Sequence, residues 1–173
     1  MLVAACLQGD LHAFDELVER YETPLFNASY RITGSIDDAM DATQTAFVRA
    51  FEKLHTFNPD YRFFSWIYRI VINQSLNLVG RRRDESVLDH ELPAASGDPE
   101  AALDGSERAR SLQAALLELG PEQRTVIFLK HLEGFSYQEI SELLDIPVKT
   151  VKSRLFTARQ RLRLILNQRG VTP

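Results

Sequence analysis

The stretch "DIPVKTVKSRLFTARQRLRLIL", Asp145 to Leu166, carries Lys149, Lys152, Arg154, Arg159, Arg161 and Arg163, and no acid follows Asp145. At about 100° per residue on a helical wheel, Val151, Leu155, Ala158 and Leu162 fall in one narrow apolar sector, which predicts a buried stripe. Lys149, Ser153, Phe156, Thr157 and Gln160 lie opposite it, flanked by Lys152, Arg154 and Arg163. Just upstream, "SYQEISELL" places Ser136 and Glu139 at the spacing of a capping box that opens a short helix. Only Asp145, Ile146 and Pro147 separate the two. Two helices across a tight turn, the second basic on its outer face, make the helix-turn-helix pattern.

That outer face suits a DNA major groove. An outward aromatic such as Phe156 wastes apolar surface unless something covers it, and a thymine methyl is one such cover. Lys149 and Lys152 suit phosphate or guanine, and Ser153 suits a base edge. Arg154, Arg159 and Arg161 sit nearer the edges of the buried stripe, where phosphate contacts are expected.

The rest of the chain bounds this reading. It has 173 residues, 45% hydrophobic and 25% charged, enough for one medium domain or two small ones. The formal net charge is −4, unevenly spread. Residues 1–83 carry 9 basic and 10 acidic side chains, residues 84–106 carry 7 acids and no base, and residues 107–173 carry 11 bases and 7 acids. The acidic stretch, "DESVLDHELPAASGDPEAALDGS", contains Pro93, Gly97, Pro99 and Gly105 and is expected to be a linker. Fully extended, such a segment reaches about 75–80 Å. No apolar run approaches the roughly 18 residues that span a bilayer. The start, "MLVAACLQGD", lacks the basic segment of a secretion signal, and its abrupt helix suggests that residues once preceded it. A lone Cys6 fits a reducing compartment, so a cytoplasmic protein without membrane insertion is expected.

Residues 1–83 read as helices. "LHAFDELVERYETPLFNASYRIT" spaces Phe14, Leu17, Val18, Tyr21, Leu25 and Phe26 helically, with Pro24 as a kink, and Thr33-Gly34-Ser35 ends it. "SIDDAMDATQTAFVRAFEKLHTF" follows with acids in its first turns. Asn58-Pro59-Asp60 signals a turn, and "YRFFSWIYRIVINQSLNLVGRRR" is apolar over most of its circumference, as a central helix is. Phe63, Phe64, Trp66, Ile67 and Ile70 are expected in the core. No strand pattern of useful length occurs. The expected fold is all-α: two small helical domains, 1–83 and 107–170, joined by the acidic linker 84–106.

Together these segments resemble the extracytoplasmic-function sigma factors of bacterial RNA polymerase. "LGPEQRTVIFLKHLEGFSYQEISELLDIPVKTVKSRLFTARQRL" is similar to their region four, and "GDLHAFDELVERY", "DDAMDATQTAFVRAFEKLHTF" and "FFSWIYRIVINQSLNLVGRRR" to their region two. The resemblance implies binding to core RNA polymerase, recognition of promoter DNA and opening of the duplex, an anti-sigma factor as customary partner, and no cofactor. It also suggests that the acidic linker runs in the channel used by nascent RNA, its carboxylates imitating phosphates.

The resemblance assigns the polymerase contact to Asp38, Asp41, Gln44, Phe47 and Arg49. Promoter opening requires extruding a base, which stacking and edge hydrogen bonds offset. The resemblance places Phe57, Asn58, Asp60 and Tyr61 around that base, with hydrogen bonds from Asn73. Arg62 and Arg69 share the helix sector of Asn73 and suit the strand's phosphates, and Arg81, Arg82 and Arg83 extend the track.

Departures from the family pattern carry their own expectations. Met40 and Thr45 stand where acids are usual, so docking on a basic surface should be weaker, and phosphorylation of Thr43 or Thr45 would restore charge. Lys149 replaces a frequent glycine, and Thr157 stands where a base can occur, so the promoter sequence does not transfer. A stand-alone helix-turn-helix regulator remains the alternative, and binding of duplex DNA without polymerase would distinguish it. His12, His55, His90 and His131 are scattered and no phosphate-cradling glycine loop occurs, which argues against an enzyme.

Overall fold

The computed structural model describes residues 2–89 and 107–170. Every regular element among these residues is helical, and the helices divide into two compact units. The first holds α1 (Leu2–Leu7), α2 (Leu11–Thr33), α3 (Ile36–Lys53), a 3-10 turn (Leu54–Thr56) and α4 (Phe63–Asp89). The second holds α5 (Glu107–Leu117), α6 (Pro121–His131), α7 (Tyr137–Leu144) and α8 (Val148–Gln168).

Local chemistry sets the helix ends in the first unit. Asp10 caps α2, its Oδ1 accepting from the backbone N–H groups of His12 and Ala13 at 3.0 and 3.3 Å. Gly34 ends α2 at φ 71°, a conformation glycine adopts without a Cβ clash, and Ser35 caps α3 at once. Pro24 sits inside α2 on an exposed position, where the helix continues through it.

α2, α3 and α4 pack on one another around Leu17, Leu25, Ile32, Ile67, Val71 and Ile72. The inner face of α3 is built of Ala39, Ala42, Ala46 and Ala50, small residues that let both neighbours approach closely. Each large apolar side chain so buried contributes about 1.5–3 kcal/mol. The core also holds a polar link. The Ser75 hydroxyl donates to the Val71 carbonyl at 2.8 Å, so the Ser29 hydroxyl, 2.8 Å away, donates to Ser75 and ties α2 to α4.

In the second unit α8 packs against α5, α6 and α7. Val126, Phe128 and Leu129 of α6, Ile140 and Leu143 of α7, and Val151, Leu155, Ala158 and Ile165 of α8 are buried. Arg124 is buried beside them and donates to the Leu117 carbonyl at 3.2 Å. Burial pushes its guanidinium down to about 10, still charged at neutral pH.

One boundary differs from expectation. The linker was to begin at residue 84, yet α4 continues to Asp89. A run of acids does not itself break a helix, and no glycine or proline follows Gly80 until Pro93. The remainder of that linker, residues 90–106, lies outside the described residues.

Candidate nucleic-acid interface

The helix-turn-helix is built by three local devices. The Ser136 Oγ accepts from the Glu139 N–H at 3.1 Å while the Glu139 carboxylate accepts from the Ser136 N–H at 2.7 Å, the reciprocal box expected. Asp145 then turns the chain at φ 55°, a left-handed conformation that aspartate tolerates better than most residues. Ser141 clamps the turn: its carbonyl accepts from the Ile146 N–H at 3.1 Å and its hydroxyl donates to the Ile146 carbonyl at 2.5 Å.

α8 consequently presents one side to solvent. Lys149, Lys152, Ser153, Phe156, Thr157 and Gln160 are all exposed, Phe156 by 63%. Val151, Leu155 and Ala158 are buried as expected, Leu162 only partly, and Ile165 completes the stripe. The Ser153 hydroxyl donates to the Thr150 carbonyl at 3.0 Å and that of Thr157 to the Ser153 carbonyl at 3.1 Å. Both oxygens therefore face outward chiefly as acceptors.

The arginines of α8 differ from the simple reading. Arg154 is half-buried and ion-paired with Glu122 at 2.9 Å, which holds α8 to the start of α6. Arg159 donates to the His131 ring, from Nε at 3.2 Å and through a second nitrogen 3.0 Å away. Desolvation first, then the charges of Arg159 and Lys130, push His131 below its usual range, so it accepts as a neutral ring. Arg161 and Arg163 are exposed.

In the first unit the expected residues separate into two groups. Asp41, Gln44 and Arg49 are exposed on α3. Asp38 and Phe47 are each only 8% exposed. Both correct the expectation of a surface contact, because α3 is covered on two sides. Phe47 packs edge-on against Phe14, with ring centroids 6.5 Å apart. Asp38 occupies the third position of α3, where a carboxylate ordinarily turns back to the cap; instead it reaches Arg82 of α4 at 2.9 Å. Its other oxygen is buried without a hydrogen-bond partner. Burial raises the Asp38 pKa, Arg82 opposes that, and Asp37 and Asp41 add to it.

Arg82 is thereby engaged within the unit, Arg81 is exposed, and the side chain of Arg83 lies outside the described residues. Thr43 is buried and its hydroxyl donates to the Ala39 carbonyl at 2.7 Å, so it is not presented at the surface, whereas Thr45 is partly exposed. The sequence reading missed an apolar ridge on α3. Met40, Val48 and Phe51 are exposed along one side, at a spacing that a wheel drawn for α3 would have revealed.

The loop before α4 is shaped by Asn58, whose Oδ1 accepts from the Asp60 N–H at 3.0 Å and whose carbonyl accepts from the Tyr61 N–H at 3.1 Å. Asn58, Asp60, Tyr61 and Arg62 are exposed. Phe57 is buried against Phe63 and Trp66, with centroids 5.6 and 5.5 Å away. It forms one wall of a pocket of about 400 Å³ whose lining includes Leu7, Arg20, Tyr21, Pro59 and Tyr61. Asn73 is not among the residues that line it. Asn73 stands instead on an exposed stripe along α4 at intervals of four, with Ser65, Arg69, Asn77 and Arg81. Asn77 is a further residue that sequence reasoning passed over, and the same interval marks it.

Residues 17–85 match the model of sigma-70 region 2, and residues 109–162 that of sigma-70, region 4. Over 168 residues the chain is 33% identical to the ECF RNA polymerase sigma factor SigW of Bacillus subtilis, with 90% of each covered. The chain belongs to the ECF sigma factors. This sigma factor is also 35% identical to the ECF RNA polymerase sigma-E factor of Escherichia coli, over 92% of this chain and 90% of that one. Solved relatives include the sigma factor RpoE of Bartonella quintana in complex with the anti-sigma factor NepR. That chain matches with TM-score 0.75 and 25% identity, over 89% of this sigma factor and 96% of its own length. CnrH in complex with the cytosolic domain of CnrY matches with TM-score 0.69 and 29% identity, over 96% of each. No helix of this sigma factor, among the described residues, is long and apolar enough to cross a membrane.

Proposed function

We propose a division of labour between the two units of this alternative sigma factor, which binds core RNA polymerase and directs initiation at particular promoters. The exposed side of α8 reads the upstream promoter element. Lys149, Lys152, Ser153, Phe156, Thr157 and Gln160 address bases and nearby phosphates, and Arg154 serves mainly to hold the helix. The first unit opens the downstream element. The loop Asn58, Asp60 and Tyr61 with the Phe57 wall receives an extruded base, and Arg62, Arg69, Asn73, Asn77 and Arg81 follow the separated strand. Asp41, Gln44 and Arg49, with the apolar ridge of α3, meet the polymerase. Asp38 and Phe47 support that face from beneath.

The observation that carries the reading is the outer face of α8, where an exposed phenylalanine is ringed by cations and hydrogen-bonding groups on a helix-turn-helix. The net charge of −4 supports dependence on polymerase, since an acidic chain with local basic patches binds duplex DNA poorly by itself. The acidic linker between the two units fits the same division. An anti-sigma factor, of the kind found with RpoE, is the expected regulatory partner. The sigma factor itself acts in the cytoplasm, with no catalysis of its own.

Run-off transcription with purified core enzyme on a pool of genomic fragments tests the assignment. Lys152→Ala and Phe156→Ala should weaken recognition of the upstream element, whereas Asn73→Ala should leave the promoter bound but closed. Equal activity of all three variants would overturn the residue roles. Tight duplex binding by the sigma factor without polymerase would favour a stand-alone regulator.

A further inference from the structure

We infer that Tyr137 is a positioning residue for DNA reading: its ring holds the Lys152 ammonium on the outer face of α8 before a promoter arrives. This rests on the reading of α8 given above. Tyr137 is the first residue of α7 and follows the reciprocal Ser136–Glu139 cap, so its backbone is firmly placed. The Lys152 Nζ lies 5.7 Å from the ring centroid, within the range of a cation–π contact. The Lys130 Nζ of α6 lies 5.0 Å from the same centroid and also donates to the Phe135 carbonyl at 3.0 Å. One half-buried ring thus joins α6, α7 and α8.

The chemistry of the partner matters. Arg154 is held by a carboxylate, Glu122, and so is Arg169, by Glu118; such a partner orients a cation but offsets its charge towards a phosphate. Arg159 is held by a neutral imidazole. Lys152 is held by a neutral π face, which limits the wandering of a flexible side chain and leaves the positive charge available. The lysine is exposed, and no hydrogen bond or ion pair engages it among the described residues. Lys149, the other lysine of the reading face, has no such ring beside it among the described residues, which distinguishes a placed cation from a diffuse one.

The test uses holoenzyme, core polymerase with the full chain, on a promoter duplex recovered from the run-off pool. Affinity and its salt dependence are measured for the parent, Tyr137→Phe, Tyr137→Leu, Lys152→Ala and the double variant Tyr137→Leu with Lys152→Ala. Tyr137→Phe keeps the ring and should bind within about twofold of the parent. Tyr137→Leu should lose roughly two- to fivefold, the scale of an exposed cation–π contact. Lys152→Ala should lose at least as much and lower the salt slope by about one. In the double variant, Tyr137→Leu should add nothing to Lys152→Ala.

Additive losses would mean that the ring acts through the fold and would overturn the inference. So would parent-like binding by Tyr137→Leu while Lys152→Ala is weak. A Tyr137→Phe loss equal to that of Tyr137→Leu would move the role to the hydroxyl and sink the idea equally. Parent-like binding by Lys152→Ala would instead remove the reading of α8 on which the inference stands.

Discussion

The reading face of α8 and the docking face of α3 make an instructive pair. Both are amphipathic helices, but the candidates on α8 came from its helical wheel and those on α3 from the family resemblance. On α8 every candidate except Arg154 is exposed; on α3, Asp38 and Phe47 are buried while Met40, Val48 and Phe51 stand outside. The difference is one of neighbours. α8 rests its apolar stripe on the other helices of a small unit and keeps a broad free side, whereas α3 is wedged between α2 and α4. A wheel describes a helix with one covered side well. It cannot say how much of the remaining circumference a second neighbour takes.

The contrast can be tested by substitutions, beginning with the largest effect. Phe47→Ala should remove about 3–5 kcal/mol of stability, the scale of a phenylalanine deleted from a core, and lose polymerase binding only through that. Denaturant unfolding beside a polymerase-binding assay checks it; lost binding with unchanged stability would return Phe47 to the surface contact.

Asp38→Asn should act more gently, changing neutral-pH stability by less than about 1 kcal/mol, since its partner Arg82 is half exposed and regains water. Its signature is the pH profile. The folded-state pKa of Asp38 is raised, so the folded protein holds that proton longer than the unfolded chain does. The contribution of Asp38 is therefore greatest in acid and falls as pH rises through the raised pKa. Urea melts across that range should show this fall in the parent and its absence in Asp38→Asn. A parent curve that climbs relative to the variant would contradict the sign.

The smallest stability change belongs to α8. Phe156→Ala should move it by no more than about 0.5 kcal/mol, as for other surface positions. Recognition of the upstream element should nevertheless weaken by roughly 1 kcal/mol or more. A large loss of stability would show Phe156 to be part of the packing and would erase the distinction between the two helices.

Much of this was legible beforehand where causes are local. The cap at Ser136, the turn at Asp145 and the stop at Gly34 depend on residues within a few positions of one another. The buried stripe of α8 follows from a 3.6-residue period. The segment from Asn58 to Asp60 was likewise recognisable as a turn. Harder to see was that Asn73 does not line the pocket walled by Phe57. Its place on α4 was readable, but the direction of that face relative to the loop was not.

By itself, then, the sequence determined which segments are helical, where most of them stop and which side of α8 faces outward. These are properties of short-range hydrogen bonding and periodicity. Only the tertiary structure decided that Asp38 turns from its own helix cap to Arg82, that Phe47 faces inward and that Tyr137 lies beside Lys152. Each depends on a partner supplied by another helix. A linear pattern records the faces of one helix, but exposure and ion pairing are set by what packs against them.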